Sequence, residues 1–255
     1  MLGNKKKYDV IFGIGEACSC SATLRKASLQ IASYPLDWLY GTQFKARVDI
    51  LCSKFNRFIE KEDLQFHDIT RSISCDAYGN SYNNLIFNHD FPMGEKLDDS
   101  YPAIKAKYDR RIQRLLSGID NAQNVLIMYM ETPNCAVITS DSEIIEGYQK
   151  IKAQYPHKNI TLLYWKQDNS YKPRQYKMDT LADDVIKITA NYKNQAEDAV
   201  PYGIDVRFTS GLLRKYFSLN VSLKYRAKQL LLKLLIKCIP IKSQRKKLRK
   251  KYHVG

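Results

Sequence analysis

At 255 residues, 44% of them hydrophobic and 11% aromatic, the chain can bury a full core and is too apolar for a disordered protein. Its net charge of +15 suggests a basic protein, yet every acidic residue lies at or before Asp205 and the last fifty residues hold 15 Lys/Arg. That leaves 26 residues of each sign in 1–205, so the body is formally neutral and the tail carries all the excess charge.

Six cysteines, at 18, 20, 52, 75, 135 and 238, show no paired CxxC rhythm, which points to a reducing compartment rather than a disulfide framework. None of the four histidines stands at zinc-ligand spacing from two cysteines, so no metal site is expected. No apolar run approaches the ~20 residues that span a bilayer. Asp9 interrupts the basic start MLGNKKKYDV before a run of signal-peptide length.

In chain order, YDVIFGI (Tyr8–Ile14) has the composition of a buried strand, followed by a Gly-rich turn and a helix from about Cys18 to Ser28. A second helix fits Gln43–Ile59, where Phe44, Val48, Leu51, Cys52 and Phe55 recur at helical spacing. NLIFN (Asn84–Asn88) predicts a strand and Tyr101–Ile119 a helix with a basic face. VLIMYM (Val125–Met130) predicts a central strand from its unbroken apolar run. Ser140 and Glu143 form a capping box that opens a helix to about Gln154. Ile160–Trp165 and Val185–Thr189 complete the strands. The alternation predicts a single α/β domain around a largely parallel sheet, spanning 1–205, with 206–255 as a basic helical tail.

The first strand ends in Gly13-Ile-Gly15-Glu-Ala-Cys18, which departs from a dinucleotide fingerprint by placing cysteine where the third glycine belongs. No acidic residue ends a second strand about 20 residues on, and no cofactor is expected. A cysteine at a helix's first turn faces unsatisfied N–H groups and the positive dipole end, which favour the thiolate. Those N–H groups also suit an oxyanion formed in acyl transfer. A buried structural thiol is the competing reading.

A nucleophilic cysteine needs a base and a group to orient it. His89 follows the strand NLIFN and is followed by Asp90. Asp37 lies between Pro35 and Trp38, either bonding local backbone or held near a site. Arg110, Arg111 and Arg114 share the next helix and suit either an anionic substrate group or a solvated face.

Three segments carry a resemblance: Gly15-Glu-Ala-Cys18-Ser-Cys-Ser-Ala22-Thr-Leu24-Arg25, then Ser33-Tyr-Pro35-Leu36-Asp37-Trp38, then His89-Asp90-Phe91. Together with the Arg-rich stretch Tyr108–Arg114 they resemble a bacterial family of papain-like cysteine peptidases, over roughly residues 8–190. The resemblance implies Cys18 as nucleophile and His89 as base, with Asp37 or Asp90 orienting the histidine. Arg25, Arg111 and Arg114 are then candidate substrate-binding residues. The same thiol chemistry serves amidases and acyltransferases. A glycosyltransferase-like enzyme is an alternative, although the chain holds no D-x-D. A non-catalytic partner module is another, and it requires Cys18 and His89 to lie too far apart to exchange a proton.

In the tail, Val221–Lys237 predicts a helix ended by Pro240, with Arg226, Gln229, Lys233 and Lys237 on one stripe. Leu230, Leu231, Leu234, Leu235 and Ile239 lie off it. KSQRKKLRKK (242–251) then carries seven positive charges. The pair predicts docking of 221–251 on an anionic membrane surface, at the inner face of the membrane for a cytoplasmic protein. Packing of the helix on the body is the competing expectation. Nucleic acid is disfavoured, because the run lacks aromatic interleaving and any recognisable binding motif. Such tails resemble those of bacterial capsule and lipopolysaccharide enzymes, which suggests a surface-polysaccharide substrate or its lipid-linked precursor.

Overall fold

The computed structural model describes residues 5–70, 74–133, 138–194, 203–241, 243–245 and 248. Its centre is a five-stranded sheet of β2 (Val10–Gly13), β6 (Asn124–Met130), β7 (Asn159–Gln167), β9 (Val185–Ala190) and β8 (Tyr176–Ala182), in that spatial order. The first four run parallel and β8 closes one edge antiparallel. The expected largely parallel α/β sheet is therefore present.

The unbroken run VLIMYM follows from burial on both faces. Phe12, Ile127, Tyr129, Leu162 and Tyr164 enter one core, together with residues of α2 (Phe44–Cys52), α3 (Leu97–Asn121) and α4 (Asp141–Gln154). Ile11, Leu126, Met128, Leu163 and Trp165 enter the other, with residues of α1 (Ser19–Lys26) and α5 (Val206–Tyr216). Adjacent residues alternate between the two cores, as strand geometry requires. The capping box forms as expected: the Glu143 N–H donates to Ser140 Oγ at 3.2 Å and the Ser140 N–H to Glu143 Oε2 at 2.8 Å.

The second helix ends earlier than its apolar periodicity suggests, at Cys52. Lys54 takes a positive φ of 55°, the Phe55 N–H returns to the Ile50 carbonyl and the Lys54 N–H to that of Leu51. This is a Schellman stop. Phe55, Phe58 and Ile59 remain buried beyond it, which is why they extended the helical signal.

Between α2 and α3 lies a separate antiparallel sheet, β3 (Leu64–Thr70), β4 (Cys75–Asn80) and β5 (Ile86–Pro92). The predicted strand NLIFN belongs here rather than to the central sheet, with Tyr78 opposite Phe87. Phe87 and Tyr108 meet edge to face at 5.2 Å, seating β5 on α3.

The charge boundary at Asp205 is not the packing boundary. Leu212 and Leu213 of α5 are core residues, Thr209 hydrogen-bonds Thr23 at 3.0 Å, and β10 (Phe217–Leu219) pairs in parallel with β1 (Lys6–Tyr8). Helix α6 (Leu223–Lys237) comes after these contacts in the chain. Among the described residues, no helix is long and apolar enough to cross a membrane.

Candidate active site

The turn after β2 is shaped by close backbone approach. A Cβ on Gly15 would lie 2.8 Å from both Cys20 Cβ and the Met130 nitrogen, so only glycine lets α1 start this close to β6. Ala17 has a φ of 50°, and its N–H donates to the Leu39 carbonyl at 3.0 Å. The chain then enters α1 with Cys18 as its N-cap, and the Cys18 side chain makes no capping bond. Cys18 thus stands at the start of α1 without capping its first turn.

Arg47 fixes this turn from below. It is fully buried, and its guanidinium donates to the carbonyls of Thr42 (2.8 Å), Gly15 (2.9 Å) and Leu39 (2.9 Å). One side chain thus clamps the Gly15 turn to the Leu39–Thr42 segment. Burial lowers its pKa from the ordinary arginine value, against the attraction of Tyr129 and Glu16. The sequence held a signal for it. Arg47 lies three residues after Phe44 and four before Leu51, on the apolar face of α2.

His89, 71 residues from Cys18, reaches the turn from β5. Its Nε2 lies 3.7 Å from Cys18 Sγ, within hydrogen-bond range for sulfur. Cys18 is 3% exposed, whereas His89 is exposed. Desolvation lowers the imidazole pKa, partly opposed by the nearby charge of Asp90. The ring is therefore neutral at neutral pH and able to accept a thiol proton. Cys20 has the opposite character: its thiol donates to the Met128 carbonyl at 3.2 Å, and burial pushes its pKa up to about 12.

The two aspartates occupy distinct places. Asp37 is 1% exposed and accepts from Gln30 Nε2 (2.6 Å), Ser21 Oγ (2.7 Å), the Tyr34 N–H (3.0 Å) and Arg25 (3.4 Å). Its carboxylate thereby ties α1 to the Ser33–Trp38 segment. Burial raises its pKa even against those donors. Asp90 accepts from Tyr108 Oη at 2.6 Å and pairs with Lys107, which pins the strand carrying His89 to α3. Among the described residues, neither carboxylate hydrogen-bonds the His89 ring.

Arg25 turns inward to Ser33 Oγ (2.7 Å) and Asp37, with its guanidinium 5.1 Å from the centre of the Trp38 ring. Arg111 and Arg114 instead line an open hollow of about 410 Å³ with Lys107, Arg110 and Ser33. Arg114 donates to the Ser33 carbonyl at 2.9 Å, and Arg111 stands over the Tyr108 ring. Lys107, on the wall of the hollow, pairs with Asp90, the residue after His89 in the chain. Among the described residues, no group of three or more His, Cys, Asp or Glu is placed to hold a metal ion.

No curated protein and no solved structure matches this chain. A family model described as "Putative papain-like cysteine peptidase (DUF1796)" matches residues 9–163, a span that takes in the Cys18 turn, Asp37, His89 and the α3 arginines. With more than half of its length covered by that match, the chain belongs to the family so described.

Proposed function

We propose that the protein is a thiol-dependent acyl hydrolase or acyltransferase. The observation that carries this is the 3.7 Å approach of Cys18 Sγ, at the start of α1, to His89 Nε2. It also disfavours a non-catalytic module, which needs the two groups apart. In the first half-reaction the thiol proton passes to His89 Nε2 as sulfur bonds the substrate carbonyl carbon. The oxyanion forms beside the first-turn N–H groups of α1. His89 then returns the proton to the leaving nitrogen or oxygen, the carbonyl–heteroatom bond breaks, and a thioester remains on Cys18. Water or an acceptor hydroxyl attacks the thioester in the second half-reaction and restores the thiol.

The family description supports a peptide bond as the substrate linkage. The basic tail supports a substrate held at a membrane, such as a lipid-linked polysaccharide precursor, at the cytoplasmic face. Among the described residues no cysteine is joined in a disulfide. The test is acyl-enzyme trapping. An activated acyl ester should add its acyl mass to Cys18, located by peptide mapping, and Cys18→Ser protein should stay unmodified at that residue. Acylation confined to other residues would remove the basis of this reading.

Arg111 and Arg114, with Lys107 and Arg110 beside them, would hold an anionic group of the substrate in the hollow. A hydrogen bond to a charged group contributes about 1.5–3 kcal/mol. The double variant Arg111→Gln/Arg114→Gln should therefore raise KM at least about tenfold for an anionic substrate. It should leave KM for a neutral one unchanged, and equal loss for both would assign these arginines to a solvated face.

A further inference from the structure

The described side chains of α6 divide sharply. Leu230, Leu231, Leu234 and Leu235 are 61%, 57%, 53% and 56% exposed, whereas Ile236 is 3% exposed and Leu232 is half-buried. At about 100° per residue, the four leucines fall within one arc of about 140°, and positions 232 and 236 fall opposite it. The helix rests on its minor side and turns its wide apolar side outward. Positions 226, 233 and 237, all basic, border the arc on one flank, and position 228, also basic, borders it on the other. Ile241, just past the helix, is 50% exposed. This patch exceeds the scattered apolar exposure normal for a soluble surface.

We infer that α6 is a docking helix for an anionic lipid bilayer, lying in the interface with its four leucines among the acyl chains and its flanking cations at the headgroups. The charge pattern selects this occupant. Beyond Asp205 the chain holds 15 Lys/Arg and no acidic residue, so a second copy would bring like charge to the contact. The formally neutral body offers no compensating excess of acid. Nucleic acid would satisfy the cations and leave the leucines in water. An anionic bilayer accommodates both, and the fifteen-residue helix is short enough to lie flat rather than span. The run at 242–251, mostly outside the described residues, adds seven positive charges. This inference stands on the tail alone and is independent of the chemistry at Cys18.

The test uses the full chain and co-flotation with vesicles of phosphatidylcholine, or of phosphatidylcholine mixed with phosphatidylglycerol. Binding to the mixed vesicles is expected, weakened by raised salt. The variant Leu230→Gln/Leu234→Gln/Leu235→Gln keeps every charge and alters only exposed residues. Its partition coefficient should fall by roughly a hundredfold or more. Equal flotation with neutral vesicles, or unchanged binding by the triple variant, would overturn the inference. So would a concentration-dependent dimer in light scattering that the triple variant abolishes, or tighter binding to duplex nucleic acid than to anionic vesicles.

Discussion

Replacing His89 by alanine should slow acylation of Cys18 by about 10²- to 10⁴-fold, the usual contribution of a positioned general base. Nε2 lies 3.7 Å from the sulfur, and desolvation lowers the pKa of the ring from the ordinary imidazole value. Cys18→Ser should bring trapping at this position to background, and neither Cys20 nor Cys52 is set up to replace it. Cys20 is held near pKa 12 and donates into the sheet, and burial also raises Cys52. Stopped-flow acylation with a chromogenic ester separates the cases. If His89→Ala keeps the parent rate, proton transfer to this ring is not part of the step. Asp90→Asn should have a smaller effect, because Asp90 acts by holding β5 to α3 and by its charge near the ring.

Arg47→Met should lower the unfolding midpoint by at least about 4 °C. The buried Thr42 and Gly15 carbonyls lose their Arg47 donor, while that of Leu39 keeps the Ala17 N–H, and each unsatisfied acceptor costs about 1–3 kcal/mol. In a protein near this size each kcal/mol moves the midpoint about 2–4 °C. The opposing effect is relief of a buried charge, which can make apolar replacements of ion pairs neutral. Here the charge is already solvated by carbonyls at 2.8–2.9 Å, and methionine would take that donor from the Thr42 and Gly15 carbonyls. Arg47→Lys should recover only part of the loss, since one ammonium cannot span three diverging acceptors. Thermal unfolding followed by circular dichroism measures both variants. A methionine variant within about 2 °C of the parent would show that the clamp contributes little. The site should also loosen, because Gly15 and Leu39 flank the turn that presents Cys18.

Much of the frame was legible because local chemistry and tertiary role coincide in it. VLIMYM is apolar at every position because β6 is buried on both faces, and Ser140–Glu143 caps α4 through bonds only three residues apart. Cys18 was legible as a helix-start thiol for the same reason. Its pairing with His89 was anticipated through the family resemblance rather than through local pattern, because the contact depends on the antiparallel sheet that carries β5. There β3 exposes Gln65, Phe66, His67 and Asp68 in succession and shows no alternating pattern. α5 was missed because Thr209 and Ser210, both fully buried, interrupt its apolar stripe. Asp37 was legible as an acid held by its neighbours. Its donors Ser21 and Gln30 became apparent only once α1 and the following loop were folded together.

The most direct test of the Cys18–His89 pairing is the pH dependence of site-resolved alkylation by iodoacetamide. Mass spectrometry would follow Cys18, Cys20 and Cys52 separately in the parent and in His89→Ala. Cys18 should react fastest of the three at neutral pH. Its rate should fall only as the pH drops below about 6.5, where a desolvated imidazole finally protonates. In His89→Ala that limb should move to higher pH, because the thiol has lost its base. A Cys18 that labels no faster than Cys20 or Cys52, with a profile unchanged by His89→Ala, would contradict the pairing.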